Sequence, residues 1–160
     1  MISVKPTKQE CSKVQCTFEN GNSCAYTAGK GAQKFKTVSG QFARHMIGIK
    51  HSAKGKYYAA VYMKKKGKAV LETSVDLRDM RTVKFMFVEH SAHLQLRGCC
   101  DTDNKCPFSS DNLINITDYQ LWKPGKFSCP KGTKKLLFVC ERTGALGSCG
   151  LDEIQMSGCV

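Results

Sequence analysis

Short apolar runs, some of them alternating with polar residues at a period of two, recur along the chain. Tyr57 to Met63, YYAAVYM, is rich in aromatic and β-branched residues and predicts a strand. From Lys68 to Leu77 the alternation is clean. Ala69, Leu71, Thr73, Val75 and Leu77 share one face, and Lys68, Glu72, Ser74 and Asp76 share the other, with Val70 the exception. Such a run predicts a strand with one wet face. The intervening KKKGK reads as a turn, so the two runs are expected to pair as a hairpin with a lysine-rich tip. Thr82 to Glu89, TVKFMFVE, predicts a strand buried on much of both faces. Beyond it Leu94 and Leu96 alternate with His93, Gln95 and Arg97. Late in the chain LLFVCE and CGLDEI flank RTGALGS, whose two glycines suit a turn. This stretch predicts a second hairpin.

The remaining segments are weaker. Residues 1–10 are polar and expected to be loose. Residues 27–34 are loop by composition, and Phe35 to Ile49 is ambiguous. Gly98 to Asp111 reads as a loop. Leu113 to Trp122 reads as either a strand or a short helix, and Trp122 is expected in the core. Lys123 to Gly132 reads as a loop marked by Pro124, Gly125, Pro130 and Gly132. About eight short strands and no amphipathic helix predict an all-β fold, an antiparallel sandwich or barrel spanning residues 11–160 as one domain.

Cysteine changes the picture most. Ten cysteines in 160 residues fit five disulfides and an oxidising, extracellular setting. The rival is a metal-binding protein. No Cys-x-x-Cys pair and no zinc-finger spacing supports it, and Cys99 next to Cys100 suits neither zinc nor a mutual bridge. Cys16 and Cys24 would close a small loop. Cys140 and Cys149 would face each other across the late hairpin. Opposed antiparallel Cα atoms lie roughly 4.5–5.5 Å apart, within the about 4.4–6.8 Å that a disulfide needs. Cys99, Cys100, Cys106 and Cys129 take part in the other bridges in an order the sequence leaves open. No apolar leader follows Met1, so a mature secreted form is expected. No run of about 18 apolar residues predicts a transmembrane segment.

Four blocks in order resemble the MAM domain, an extracellular module of meprins, neuropilins and receptor tyrosine phosphatases. They are Cys16-Thr17-Phe18-Glu19; Cys24-Ala25-Tyr26, with Tyr where that family has Trp; Gly55-Lys56-Tyr57 through Ala69-Val70-Leu71; and Val139-Cys140-Glu141 with Gly150-Leu151-Asp152-Glu153-Ile154, closing at Cys159. The likeness spans about residues 16–159. It implies a jelly-roll-like sandwich of two antiparallel sheets, used for adhesion or protein recognition. The family's cysteine at the start of the central strand is replaced near Thr82. Cys159 therefore needs another partner, and Cys11 is the candidate.

Charge adds a partner class. Residues 1–68 hold thirteen Lys and one Arg against Glu10 and Glu19, so they carry the whole net charge of +12. Residues 69–160 hold seven Lys and four Arg against eleven acids and are neutral. Lys54, Lys56, Lys64, Lys65, Lys66 and Lys68 bracket the first expected hairpin among Tyr57, Tyr58 and Tyr62. They form a candidate polyanion site, set against the plainer reading of a solvated face. Lysine is a point charge suited to diffuse polyanions and poor at reading bases. A sulfated glycan is thus expected before nucleic acid.

Glu19, Glu141, Asp152 and Glu153 are candidate cation ligands. The preferred expectation is that they accept backbone N–H groups or pair with arginine. Asn115-Ile116-Thr117 is a glycosylation sequon. His45, His51, His90 and His93 stand in no catalytic motif, so neither an enzyme nor a cofactor is expected. The sequence thus predicts an extracellular recognition or adhesion module for a cell-surface protein, with heparan-type glycan binding the alternative and a structural matrix role a weaker third. The oligomeric state is left open.

Overall fold

The computed structural model describes residues 4–31, 33–44, 48–90, 94–110 and 121–159. Two five-stranded sheets face each other, and all strand pairings within them are antiparallel. In chain order the strands are β1 (Thr27–Ala28), β2 (Lys36–Ser39), β3 (Tyr57–Met63), β4 (Gly67–Ser74), β5 (Arg81–Glu89), β6 (Leu94–Cys100), β7 (Phe108–Ser109), β8 (Lys123–Cys129), β9 (Lys135–Arg142) and β10 (Gly147–Met156). Sheet I has the order β1-β4-β9-β6-β7 and sheet II the order β2-β3-β10-β5-β8. The expected all-β sandwich is what the chain forms.

The core is the space between the sheets. Sheet I contributes Ala69, Leu71, Leu96 and Phe138, and sheet II contributes Ala59, Val61, Phe87 and Leu151. Phe85 lies edge-on to Phe138 and Phe108, with ring centroids 5.0 and 5.1 Å apart. Such tilted contacts suit the ring quadrupoles. The face assigned to β4 by its alternation is the buried one. Val70, the residue that broke the pattern, packs on the outside of sheet I with Leu137, Val139, Cys99 and Cys106.

Both expected hairpins are corrected. β3 and β4 lie in different sheets, as do β9 and β10. KKKG and RTGALG are therefore crossovers from one sheet to the other. Period two specifies which face of a strand is buried and says nothing about its neighbour. In a sandwich, strands of opposite sheets carry the same inward-apolar pattern as two strands of one sheet. Cys140–Cys149 is thus a bridge between sheets, with its Cα atoms 6.4 Å apart.

The other bridges are Cys16–Cys24, Cys11–Cys159, Cys99–Cys106 and Cys100–Cys129. The last two resolve the order the sequence left open. Adjacent residues of a strand face opposite ways. Cys99 accordingly joins Cys106 on the outside of sheet I, while Cys100 reaches inward to Cys129 of sheet II.

Four further expectations change. Residues 4–10 are not loose. Thr7 and Glu10 form a capping box at the start of a helix, α1 (Lys8–Val14). Glu10 is buried against Arg81 of β5, with Oε2 3.0 Å from Nε. Lys123–Cys129, expected as a loop, is β8. It is an edge strand, where the missing N–H of Pro124 costs no ladder bond. On β5, both faces are buried only toward its end. Lys84 is exposed, and Val88 joins a small outer cluster with Tyr58, Ala60 and Ile49. Half-buried Trp122 packs on that cluster and not in the core, edge-on to Tyr58 at 5.6 Å.

Two outcomes test this arrangement. Peptide mapping without reduction should recover Cys99–Cys106 and Cys100–Cys129 separately, and a Cys99–Cys129 peptide would contradict the sheet assignment. Arg81→Met should cost about 3 kcal/mol in denaturant unfolding, because it strands a buried carboxylate. The double variant with Glu10→Gln should recover part of that loss.

Candidate functional site

Residues from three of the four sequence blocks, Cys16 with Glu19, Gly55 and Asp152, meet around the start of β3 and the end of β10 and act as clips. Cys16 pairs with Ile154 of β10, Ile154 N donating to Cys16 O at 2.9 Å and Cys16 N to Ile154 O at 3.0 Å. Glu19 accepts from the backbone N–H of Lys56 at 2.7 Å and of Tyr57 at 2.9 Å. These two bonds hold its carboxyl below the usual carboxylate range. Gly55, at φ 70°, makes room for it, since a Cβ there would stand 2.3 Å from Glu19 Oε1.

Asp152 is fully buried on β10. It accepts from Ala53 N and Lys54 N at 3.1 Å each through Oδ2, and from Glu153 N through Oδ1. Burial pushes its carboxyl up to about 6, against the pull of those backbone donors. Glu141 pairs with Arg97 at 2.7 Å. Glu19, Asp152 and Glu141 therefore serve as structural acceptors. Among the described residues no three His, Cys, Asp or Glu side chains gather as a metal site.

The six lysines of the expected polyanion site divide into two groups. Lys54 and Lys56 are exposed at the start of β3, beside the Glu19 and Asp152 clips, and the Lys56 ammonium sits 5.5 Å from the Tyr57 ring centre. Lys64, Lys65 and Lys66 are exposed at the other end, on the crossover to sheet I. Lys68 departs from the set. It is half-buried on β4, and its Nζ lies 2.9 Å from Asp103 Oδ2. That ion pair holds the Asp103 carboxyl below its usual range.

A groove of about 380 Å³ at the β2–β3 edge of sheet II brings Lys64 together with Lys34 and Lys36, which lie outside the expected polyanion site. Phe42 and Tyr62 line the same groove. Gln33 fixes its wall twice: Nε2 donates to Tyr62 O, and Oε1 accepts from Lys65 N at 2.8 Å. Arg142 pins the crossover by donating to Lys64 O at 2.7 Å. All three groove lysines are exposed, and none has an ion-pair partner among the described residues. By contrast Lys134 and Lys135 are paired with Asp76 and Glu72. The signal for Lys34 and Lys36 lay in their spacing of two residues leading into β2, in a segment whose structure the sequence left ambiguous.

No known family's sequence profile matches the chain, and no curated protein sequence matches it either. Solved structures match in fold. The K1 cleaved adhesin domain of Lys-gingipain from Porphyromonas gingivalis W83 superposes with a TM-score of 0.64 at 14% identity, over 92% of this chain and 98% of that one. TmCBM61, solved in complex with β-1,4-galactotriose, gives 0.57 at 16% identity over 96% and 98%. The CBM22-1 xylan-binding domain of Paenibacillus barcinonensis Xyn10C gives 0.55 at 15% over 94% and 96%. This chain thus shares the sandwich of adhesin and carbohydrate-binding modules.

Asn115, His45 and His93 lie outside the described residues. His51 is exposed, and its carbonyl accepts from Trp122 Nε1–H at 2.8 Å.

Asp152 generates a pH prediction. Its folded-state value is raised from 3.8 to about 6. The stability it contributes is full below pH 3.8 and is lost as pH rises through about 6. The melting temperature of the wild type, measured relative to Asp152→Asn, should therefore fall between pH 4 and 7. A difference independent of pH would show an ordinary carboxyl.

Proposed function

We propose that this chain is an extracellular, non-catalytic binding module whose groove along β2 and β3 takes a sulfated or otherwise acidic glycan. One observation carries the reading: Lys34, Lys36 and Lys64 converge unpaired in a groove that also presents Phe42 and Tyr62. Ammonium groups attract sulfate or carboxylate, and aromatic side chains offer apolar contact to sugar rings. The fold shared with a xylan-binding domain and a galactotriose complex supports the ligand class. Five disulfides support the extracellular setting. Lys65 and Lys66 extend the basic surface past the groove's end, and Lys54 and Lys56 add charge at the far end of β3.

A protein partner is the second reading, favoured by the MAM-like blocks and by the adhesin fold. Glu19, Gly55 and Asp152 supply the structural part of those blocks. Divergent membership of the MAM family remains part of this proposal. Binding to cells that survives digestion of surface glycans would favour the protein partner.

Lys34→Ser/Lys36→Ser/Lys64→Ser should elute from immobilised heparin at clearly lower salt than the wild type. A control with Lys5, Lys8 and Lys13 changed to Ser loses the same charge and should move much less, because exposed charges farther apart than about 8 Å are screened at physiological salt. Equal shifts for both variants would leave only a general basic surface.

A further inference from the structure

The outer face of sheet II is only half covered. Phe42, Ile49 and Trp122 pack over β3 and the start of β10. Over β5, β8 and the end of β10 an open groove of about 670 Å³ remains. Small-molecule sites typically have roughly 300–1,000 Å³. The lining is mainly apolar, with Met86 and Pro124 as Cα partners on β5 and β8. Gly125 of β8 lies against the rings of Phe85 and Phe108. A Cβ there would stand 2.6 Å from Phe85 Cζ and 3.1 Å from Phe108 Cε1, so glycine lets the rings close against the strand.

Charge on this groove is unbalanced. Lys84 and Lys126 are direct Cα partners across β5 and β8, and both are exposed. Like charges directly opposite destabilise a sheet. Among the described residues neither ammonium has an ion-pair or hydrogen-bond partner. Glu153 also lines the groove, on the bulge between Asp152 and Gln155, yet it pairs with neither lysine. An anion between the two ammonium groups would relieve their repulsion, and an apolar body would cover Met86 and Pro124.

We infer that this groove binds a single-chain anionic amphiphile, an aliphatic carboxylate or alkyl sulfate, with its head group between Lys84 and Lys126. A sugar fits less well. Phe85 and Phe108 are only 3% and 5% exposed and offer no ring face for stacking. A peptide added as a strand at the β8 edge would meet Pro124, which has no N–H to give. The inference is independent of the glycan reading, whose groove lies over β2 and β3.

The test uses ¹⁵N-labelled protein with its disulfides intact, titrated with decanoate below its micellar concentration and followed by amide chemical shifts. Decanoate should move the amides of Lys84, Met86, Lys126 and Gln155. Decanol should bind about tenfold more weakly for want of a charge-assisted contact, and decyltrimethylammonium more weakly still. Lys84→Gln/Lys126→Gln should bind decanoate and decanol equally, its remaining amide shifts showing that the fold is intact. Met86→Ser should weaken both ligands while keeping the preference for the anion. The inference falls if decanoate leaves these amides unmoved, if it shifts those around Lys34, Lys36 and Lys64 instead, or if the cation binds as well as the anion.

Discussion

The covalent tie between Cys140 and Cys149 joins the middle strands of the two sheets. β9 runs between β4 and β6, and β10 between β3 and β5. Each central strand is therefore held by ladder bonds on both sides and by the disulfide to its counterpart across the core. Cys100–Cys129 repeats the device nearer the β7 and β8 edges, and Cys11–Cys159 fastens α1 to the segment after β10. The edges are protected in other ways. β1 and β7 have two residues each, and β8 carries Lys123, Pro124 and Lys126.

Carboxylates and lysines play opposite parts in this frame. Glu19, Asp152 and Glu10 spend their charge on backbone donors or on Arg81, and so fix loops and the helix. The lysines of the first part of the chain find few acids, because the acids lie mostly in the second part and are engaged there. The uncompensated charge reaches the surface of sheet II at the β2–β3 edge, beside Phe42 and Tyr62.

Much of this was legible in the sequence. Apolar, β-branched and aromatic runs placed β3 and β5, and alternation placed β6 and β4 with its buried face, because side-chain direction is a local property of a strand. Cysteine count gave the bridging of the chain, and the spacing of Cys16 and Cys24 gave a local loop. Pairing partners were not legible, since a crossover between sheets and a hairpin turn have the same length and the same polar composition. Lys64–Gly67 and Thr143–Gly147 are both cases of this. The groove was half legible. Lys64 belongs to a visible run, whereas Lys34 and Lys36 reach it through the pairing of β2 with β3, which no local pattern announces. The ion pair of Lys68 was hidden for the same reason, as its partner Asp103 is distant in sequence.

The place of β9 and β10 also bears on how the chain is made. Ribosomes deliver β3, β4, β5 and β6 well before β9 and β10, and in the finished molecule none of these four pairs with another. Each waits for a strand from the last part of the chain to slide in beside it. Neither sheet has a centre until β9 and β10 have emerged, so nascent chains expose unpaired edges throughout elongation. Both sheets are thus completed only once the last strands have left the ribosome, and the Cys140–Cys149 bridge can close only then.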